Sequence, residues 1–111
     1  MLSIENRITT PSEFYQIKKF GKKISNSFFS ILFIIDSNKD SKFSFTIAKK
    51  YSPKASDRNR IKRLSRALTR ENLANFPKGT LAIIFPKTKI LNSPYSLLLK
   101  EFNTLINEIK A

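Results

Sequence analysis

The chain contains no cysteine and no histidine. Without cysteine there is no disulfide framework, no thiolate nucleophile and no Cys-based zinc site. Without histidine the commonest general base and the commonest metal ligand at neutral pH are both gone. Acidic residues are few: 8 Asp and Glu against 21 Lys and Arg. They are scattered as Glu5, Glu13, Asp36, Asp40, Asp57, Glu71, Glu101 and Glu108, with nothing resembling a two-metal carboxylate cluster. Glycine (2) and proline (5) are also sparse, which argues against a disordered basic tail. No run approaches the ~18 apolar residues that span a bilayer. The opening "MLSIENRITT" lacks the long apolar core of a signal peptide. The expectation is a cytoplasmic protein with no membrane contact.

What remains is a foldable, strongly cationic chain. Hydrophobic residues make up 41% of 111 residues, enough for a single domain over 1–111 that buries roughly two thirds of its unfolded surface. The net charge is +13. Self-repulsion of that size destabilises a compact state and points to a polyanionic partner, nucleic acid first.

The element pattern predicts an α+β fold. "TTPSEFYQIKKFG" has a capping Thr10, a first-turn Pro11 and Glu13, and a stop at Gly21, predicting a helix over 11–19. "SFFSILFIID" reads as a strand, and "KFSFTIAKK" alternates Phe43, Phe45 and Ile47 against Ser44, Thr46 and Ala48. The short polar loop between them predicts an antiparallel hairpin, with the polar face of the second strand free for solvent or a ligand. A further short strand fits Lys22–Ile24. After a loop, Ser56 or Asp57 caps a helix running to about Asn75. "TLAIIFP" is apolar on both faces, as a central strand is. A last helix starts at Ser93 and Pro94, with a stripe of Tyr95, Leu98, Leu99, Phe102, Leu105, Ile106 and Ile109. The order is helix, strand, strand, helix, strand, helix. It suits a two-layer sandwich of one small mixed sheet with helices packed on it.

The stretch "DRNRIKRLSRALTR" carries the charge. An α-helix advances ~100° per residue, so with Ile61 at zero, Leu64 and Leu68 lie within about 60° of it and form the apolar stripe. Lys62, Arg66, Asn59, Arg70 and Arg63 fall in an arc of about 100° on the opposite side, flanked by Arg58 and Arg60. No acid lies between Arg58 and Arg70. A face kept for solubility mixes signs, because like charges three or four apart repel. Phosphates relieve that repulsion, and arginine suits their bidentate recognition. "FYQIKKFGKK" and "TIAKKYSPK" add cations beside aromatic rings, among them Phe14 and Tyr51, which suits unpaired nucleotides. A non-enzymatic protein on ribosomal RNA would carry the same face. A duplex-DNA reader would also, although this helix lacks the preceding short helix and tight turn of a helix-turn-helix.

"RNRIKRLSRALTR" resembles the RNR motif of the bacterial ribonuclease P protein family, roughly R-N-R-x-K-R-L-x-R-E-x-x-R. Arg58, Asn59, Arg60, Lys62, Arg63, Leu64, Arg66 and Arg70 match, while Ala67 stands where the family often has Glu. "NRITTPSEFYQIKKFG", "FTIAKK" and "GTLAIIFP" extend the resemblance along nearly the whole chain. Lys18 replaces the second aromatic of the family's first helix, and the loop before Arg58 is one residue longer than usual. The resemblance implies a left-handed crossover between parallel strands. It also implies a ribonucleoprotein in which the RNA subunit, using Mg²⁺ held mainly by RNA, removes the 5′ leader of precursor tRNA. On that reading the protein contributes no catalytic residue, binds no cofactor of its own and requires no protein partner. Its RNA-subunit contacts would be Arg58, Asn59, Arg60, Lys62, Arg63, Arg66 and Arg70. Its leader contacts would be Phe14, Lys18, Thr46, Ala48, Lys49 and Lys50.

Overall fold

The structure is a computed structural model that describes residues 7–47 and 54–110. Helix α1 spans Pro11–Phe20. Thr10 precedes it with extended backbone, but its hydroxyl donates to Glu13 Oε1 at 2.8 Å and makes no capping bond to the helix backbone. At the other end the Gly21 N–H donates to the Ile17 carbonyl at 2.8 Å. A β-carbon on Gly21 would run into that carbonyl and into Leu32, so glycine permits the tight step from helix to sheet.

Four strands follow: β1 Lys22–Ser25, β2 Phe29–Ile35, β3 Lys42–Phe45 and β4 Thr80–Pro86. The short β1 expected at Lys22 is present and pairs antiparallel with β2, from Lys22 opposite Phe33 to Ser25 opposite Ser30. Asn26 makes the turn: its Oδ1 accepts from the N–H groups of Phe28 and Phe29 at 2.9 and 3.0 Å.

The hairpin expected between the next two strands does not form. The sheet order is β1-β2-β4-β3, so β4 lies between β2 and β3. It pairs antiparallel with β2 and parallel with β3. The reason is the apolar character of β4 on both faces, which favours the position bonded on both edges. The polar segment 36–41 steps across the end of β4 to reach the far edge. There the Asp36 N–H donates to the Gly79 carbonyl at 2.9 Å. Gly79 holds φ at +80°, and a β-carbon on it would strike the Asp36 carbonyl.

Helix α2, Ala55–Glu71, is the crossover between the parallel strands β3 and β4. It begins slightly before the expected Ser56 or Asp57, with Lys54 in the cap position. It ends at Glu71, and a 3₁₀ turn over Leu73–Asn75 takes the chain on. A second 3₁₀ turn, Thr88–Asn92, leads to α3, Tyr95–Lys110. The Ser93 hydroxyl bonds backwards to the Lys89 carbonyl, so the Pro94 carbonyl opens α3 by accepting from Leu97 and Leu98.

The helices cover both faces of the sheet. The larger core lies between the sheet and α2 with α3. Phe29, Ile31, Phe43, Ala82 and Ile84 meet Ile61, Leu68, Leu98, Phe102, Leu105 and Ile106 there. Phe29 and Phe102 stack edge to face at 5.2 Å, and Phe76 packs at 4.7 Å from Phe43. The smaller core lies beneath α1, where Ile17 and Phe14 pack on Leu32, Ile34, Leu81, Ile83 and Phe85. Tyr95, placed in the apolar stripe of α3 by its spacing, is instead 37% exposed at the start of that helix, with its phenol partly covered and bonded to Glu71.

Candidate nucleic-acid interface

The inward face of α2 is built differently from the expected Ile61, Leu64 and Leu68. Ile61, Ser65, Leu68 and Thr69 are the buried positions, with Asn72 after them, and Leu64 is half-buried. Each buried polar side chain bonds to its own helix. The Ser65 hydroxyl donates to the Ile61 carbonyl at 2.8 Å, Thr69 to Ser65 at 2.9 Å, and the Asn72 amide to Leu68 at 2.8 Å. These bonds satisfy Ser65 and Thr69 within α2, while the Asn72 Oδ1 also accepts from the Asn75 amide of the following turn at 3.1 Å. The helix is thereby rolled by about 50° toward Lys62 relative to a purely apolar stripe.

Asn59, Lys62, Arg63 and Arg66 come together with Ser56 around a shallow recess of about 550 Å³. Asn59, Arg63 and Arg70 are exposed, while the roll leaves Lys62 and Arg66 half-buried along their stems. Arg70 lies further along the same arc. Arg60 is exposed and Arg58 half-buried, both away from the recess. Among the described residues, Lys62, Arg63, Arg66 and Arg70 form no ion pair with a carboxylate. Four cations on one acid-free arc therefore stay available to a polyanion.

A second cationic feature lies on the α1 side of the sheet. A groove of about 550 Å³ is lined by Lys23 from β1, Ser30 from β2, Thr46 after β3, and Phe85, Lys87 and Lys89 at the end of β4 and beyond. Register brings these together: Ser30 stands opposite Phe85, and the Thr46 N–H donates to the Ile84 carbonyl at 3.0 Å. Lys87 Nζ donates to the Asn26 carbonyl at 2.6 Å, and Lys89 Nζ stands 5.1 Å from the Phe28 ring. Of the polar face expected for the second strand, Thr46 lines the groove, Ser44 does not, and Ala48 lies outside the described residues.

Of the expected leader residues, Thr46 lines this groove. Phe14 is half-buried in the small core that also holds Phe85. Lys18 is exposed on α1 and is not among the lining residues. Ala48, Lys49 and Lys50, with Tyr51, lie outside the described residues. Lys23, Lys87 and Lys89 stand out only in three dimensions. The signal that points to them is a lysine at either side of a strand pair that only the sheet order brings together.

α1 is tied to the sheet by one buried acid. Glu13 is 4% exposed, with Lys42 Nζ at 3.2 Å and Lys39 Nζ at 3.8 Å from its Oε2. Burial pushes its pKa up, but the Thr10 hydroxyl and the two ammonium groups outweigh burial and hold the carboxyl below its ordinary value. Among the described residues no three carboxylates gather to hold a metal ion, and no helix is long and apolar enough to cross a membrane.

The family model described as Ribonuclease P matches residues 2–110. The chain belongs to the ribonuclease P protein family. The ribonuclease P protein component of Finegoldia magna is 35% identical over 92 residues, covering 83% of this chain and 80% of its own. That of Thermotoga maritima is 31% identical over 84 residues, covering 76% and 71%. A solved structure of the Thermotoga maritima ribonuclease P protein superposes with a TM-score of 0.81 at 26% identity, covering 95% of this chain and 98% of that one. The Staphylococcus aureus protein, at 19% identity and a TM-score of 0.75, shares the fold. The chain is therefore a protein subunit of ribonuclease P, working with a catalytic RNA to remove the 5′ leader of precursor tRNA.

Proposed function

We propose that the two cationic features divide the subunit's work. α2 presents Asn59, Lys62, Arg63 and Arg66 to phosphates of the catalytic RNA, with Arg58, Arg60 and Arg70 extending the contact. The groove beside α1 receives the single-stranded leader. Thr46 and Ser30 offer hydroxyls there, Phe85 a ring, and Lys23, Lys87 and Lys89 positive charge. Phe14 supports the floor and Lys18 stands at the α1 side. The sequence continues the same line with Ala48, Lys49 and Lys50. Mg²⁺ stays with the RNA, and no protein side chain acts as catalytic base or nucleophile. The protein contributes positioning and charge: it lowers phosphate repulsion and holds the substrate near the RNA active site.

The acid-free arc of α2 is the observation that carries this reading, since cations left unpaired at three- and four-residue spacing repel until an anion neutralises them. The test is cleavage of precursor tRNA by a bacterial catalytic RNA at low Mg²⁺. The protein should stimulate cleavage, and the double change Arg63→Gln, Arg66→Gln should abolish most of the stimulation. Stimulation that survives the double change sinks the α2 assignment. The groove assignment is tested separately by affinity for tRNA with and without a leader. Lys87→Gln with Lys89→Gln should shrink the difference, and an unchanged difference removes these lysines from the leader path.

A further inference from the structure

Across α1 from the groove, the surface carries aromatic rings that neither core uses. Tyr15 is 60% exposed and Phe20 is 68% exposed. Lys19 lies close to both, with its Nζ 5.5 Å from each ring centroid. The two rings thus lie no further apart than twice that distance. Phe20 also forms one wall of an open recess of about 650 Å³, shared with Gln16, Lys22, Ile35, Asp36 and Ser37. Ile35 is itself 46% exposed. Large exposed apolar side chains gathered in one place mark a binding surface more often than chance scatter does.

We propose that Tyr15, Lys19 and Phe20 form a second RNA-stacking surface, separate from the leader groove, that takes unpaired nucleotides. Charge decides the occupant. Lys19 stands 5.5 Å from the Phe20 ring, and Lys22 shares the recess that Phe20 walls. A second copy of a chain with net charge +13 would be repelled by that surface, whereas a nucleic-acid strand is attracted to it. The rings accept bases of any identity by their faces, and an ammonium beside both rings attracts the phosphates that link stacked nucleotides. Gln16 and Ser37 offer hydrogen bonds to a base edge in the recess, and Asp36 can accept from a base amino group. Among the described residues Lys19 pairs with no acid, which leaves its charge directed at a ligand.

This inference rests on the RNA-binding function proposed above, and the experiment separates the two. The chain has no tryptophan, so Phe20→Trp introduces one reporter at the surface. Titration with a twelve-nucleotide adenine oligomer should quench its fluorescence, and Tyr15→Ala in the same background should weaken binding about fivefold or more. Phe20→Ala should weaken oligomer binding by a similar factor, while Phe20→Trp retains it. Two further arms name the source of the nucleotides. Precursors with successively longer leaders should quench in steps if the leader reaches past α1, whereas the catalytic RNA alone should quench if the strand belongs to it. Absence of quenching with the oligomer, with long-leader precursor and with catalytic RNA overturns the proposal. So does protein-concentration-dependent quenching without RNA, abolished by Tyr15→Ala, which would make the surface an interface between copies. Stimulation of cleavage that depends on Arg63 and Arg66 reports on the family reading independently and would stand in either case.

Discussion

Single residues hold the parts in register. Glu13 is the clearest case, because one buried carboxylate joins α1 to β3 and to the 36–41 segment through Lys42 and Lys39. Its folded pKa is depressed, so its contribution is complete above the ordinary carboxyl value of 4.5 and fades as pH falls through the folded value. Glu13→Gln should cost about 1–3 kcal/mol at pH 7, judged from hydrogen bonds to charged groups. Urea unfolding at pH 7 and pH 3 checks this: the gap between wild type and variant should narrow at the lower pH. Tyr95 shows the opposite displacement. Burial, then the hydrogen bond to Glu71 at 2.8 Å and its charge, push the phenol up to about 12. In a phenolate absorbance titration the latest step should vanish in Tyr95→Phe and move to lower pH in Glu71→Gln. Tyr95 was legible as apolar from its spacing. Its hydroxyl partner was not, because Glu71 and Tyr95 meet only after the chain has passed through β4 and two 3₁₀ turns.

At the scale of elements, the helices follow closely from local sequence. Pro11, Gly21 and Pro94 mark ends that the backbone respects, and the stripe of α3 buries Leu98, Phe102, Leu105, Ile106 and Ile109. The strand pairing could not be read the same way. β2 and β3 meet every local criterion for a hairpin, but β4, more than thirty residues later, occupies the place between them. The groove lysines were illegible for the same reason, since Lys23, Lys87 and Lys89 are neighbours only in that sheet order. The acid-free arc of α2 was legible because a helix is its own ruler. The roll of that helix was not, since it depends on Ser65 and Thr69 being small enough to bury. Ser65→Leu should therefore cost about 1–3 kcal/mol through overpacking. Ser65→Ala should stay within about 1 kcal/mol, because the hydroxyl only repeats a bond to its own helix. Thermal unfolding of the two variants distinguishes a packing role from a hydrogen-bonding one. A polar network reaching beyond α2 would make the alanine variant the worse of the two.

For the whole molecule, the charge sets how binding responds to its surroundings. If about five cations of α2 meet phosphates, the logarithm of RNA affinity against the logarithm of salt should slope by roughly −3.5 to −4.5 from this helix alone. Removing Arg63 and Arg66 should flatten the slope by roughly 0.7–0.9 for each phosphate no longer neutralised. Filter binding across a salt series measures both, and an unchanged slope would place those arginines away from the phosphates. The placement of β4 has a consequence for how the chain comes into being. Synthesis runs from the N-terminus, and domains complete as the ribosome releases them. Until Thr80–Pro86 has emerged, β2 lacks its inner neighbour, β3 has no parallel strand to join, and the wall behind Ile61 and Leu68 lacks Ala82 and Ile84. The cationic stretch therefore leaves the ribosome, itself rich in RNA, well before the chain can fold around it. A nascent chain halted ahead of Thr80 should hold the RNA-binding charge without the fold that directs it.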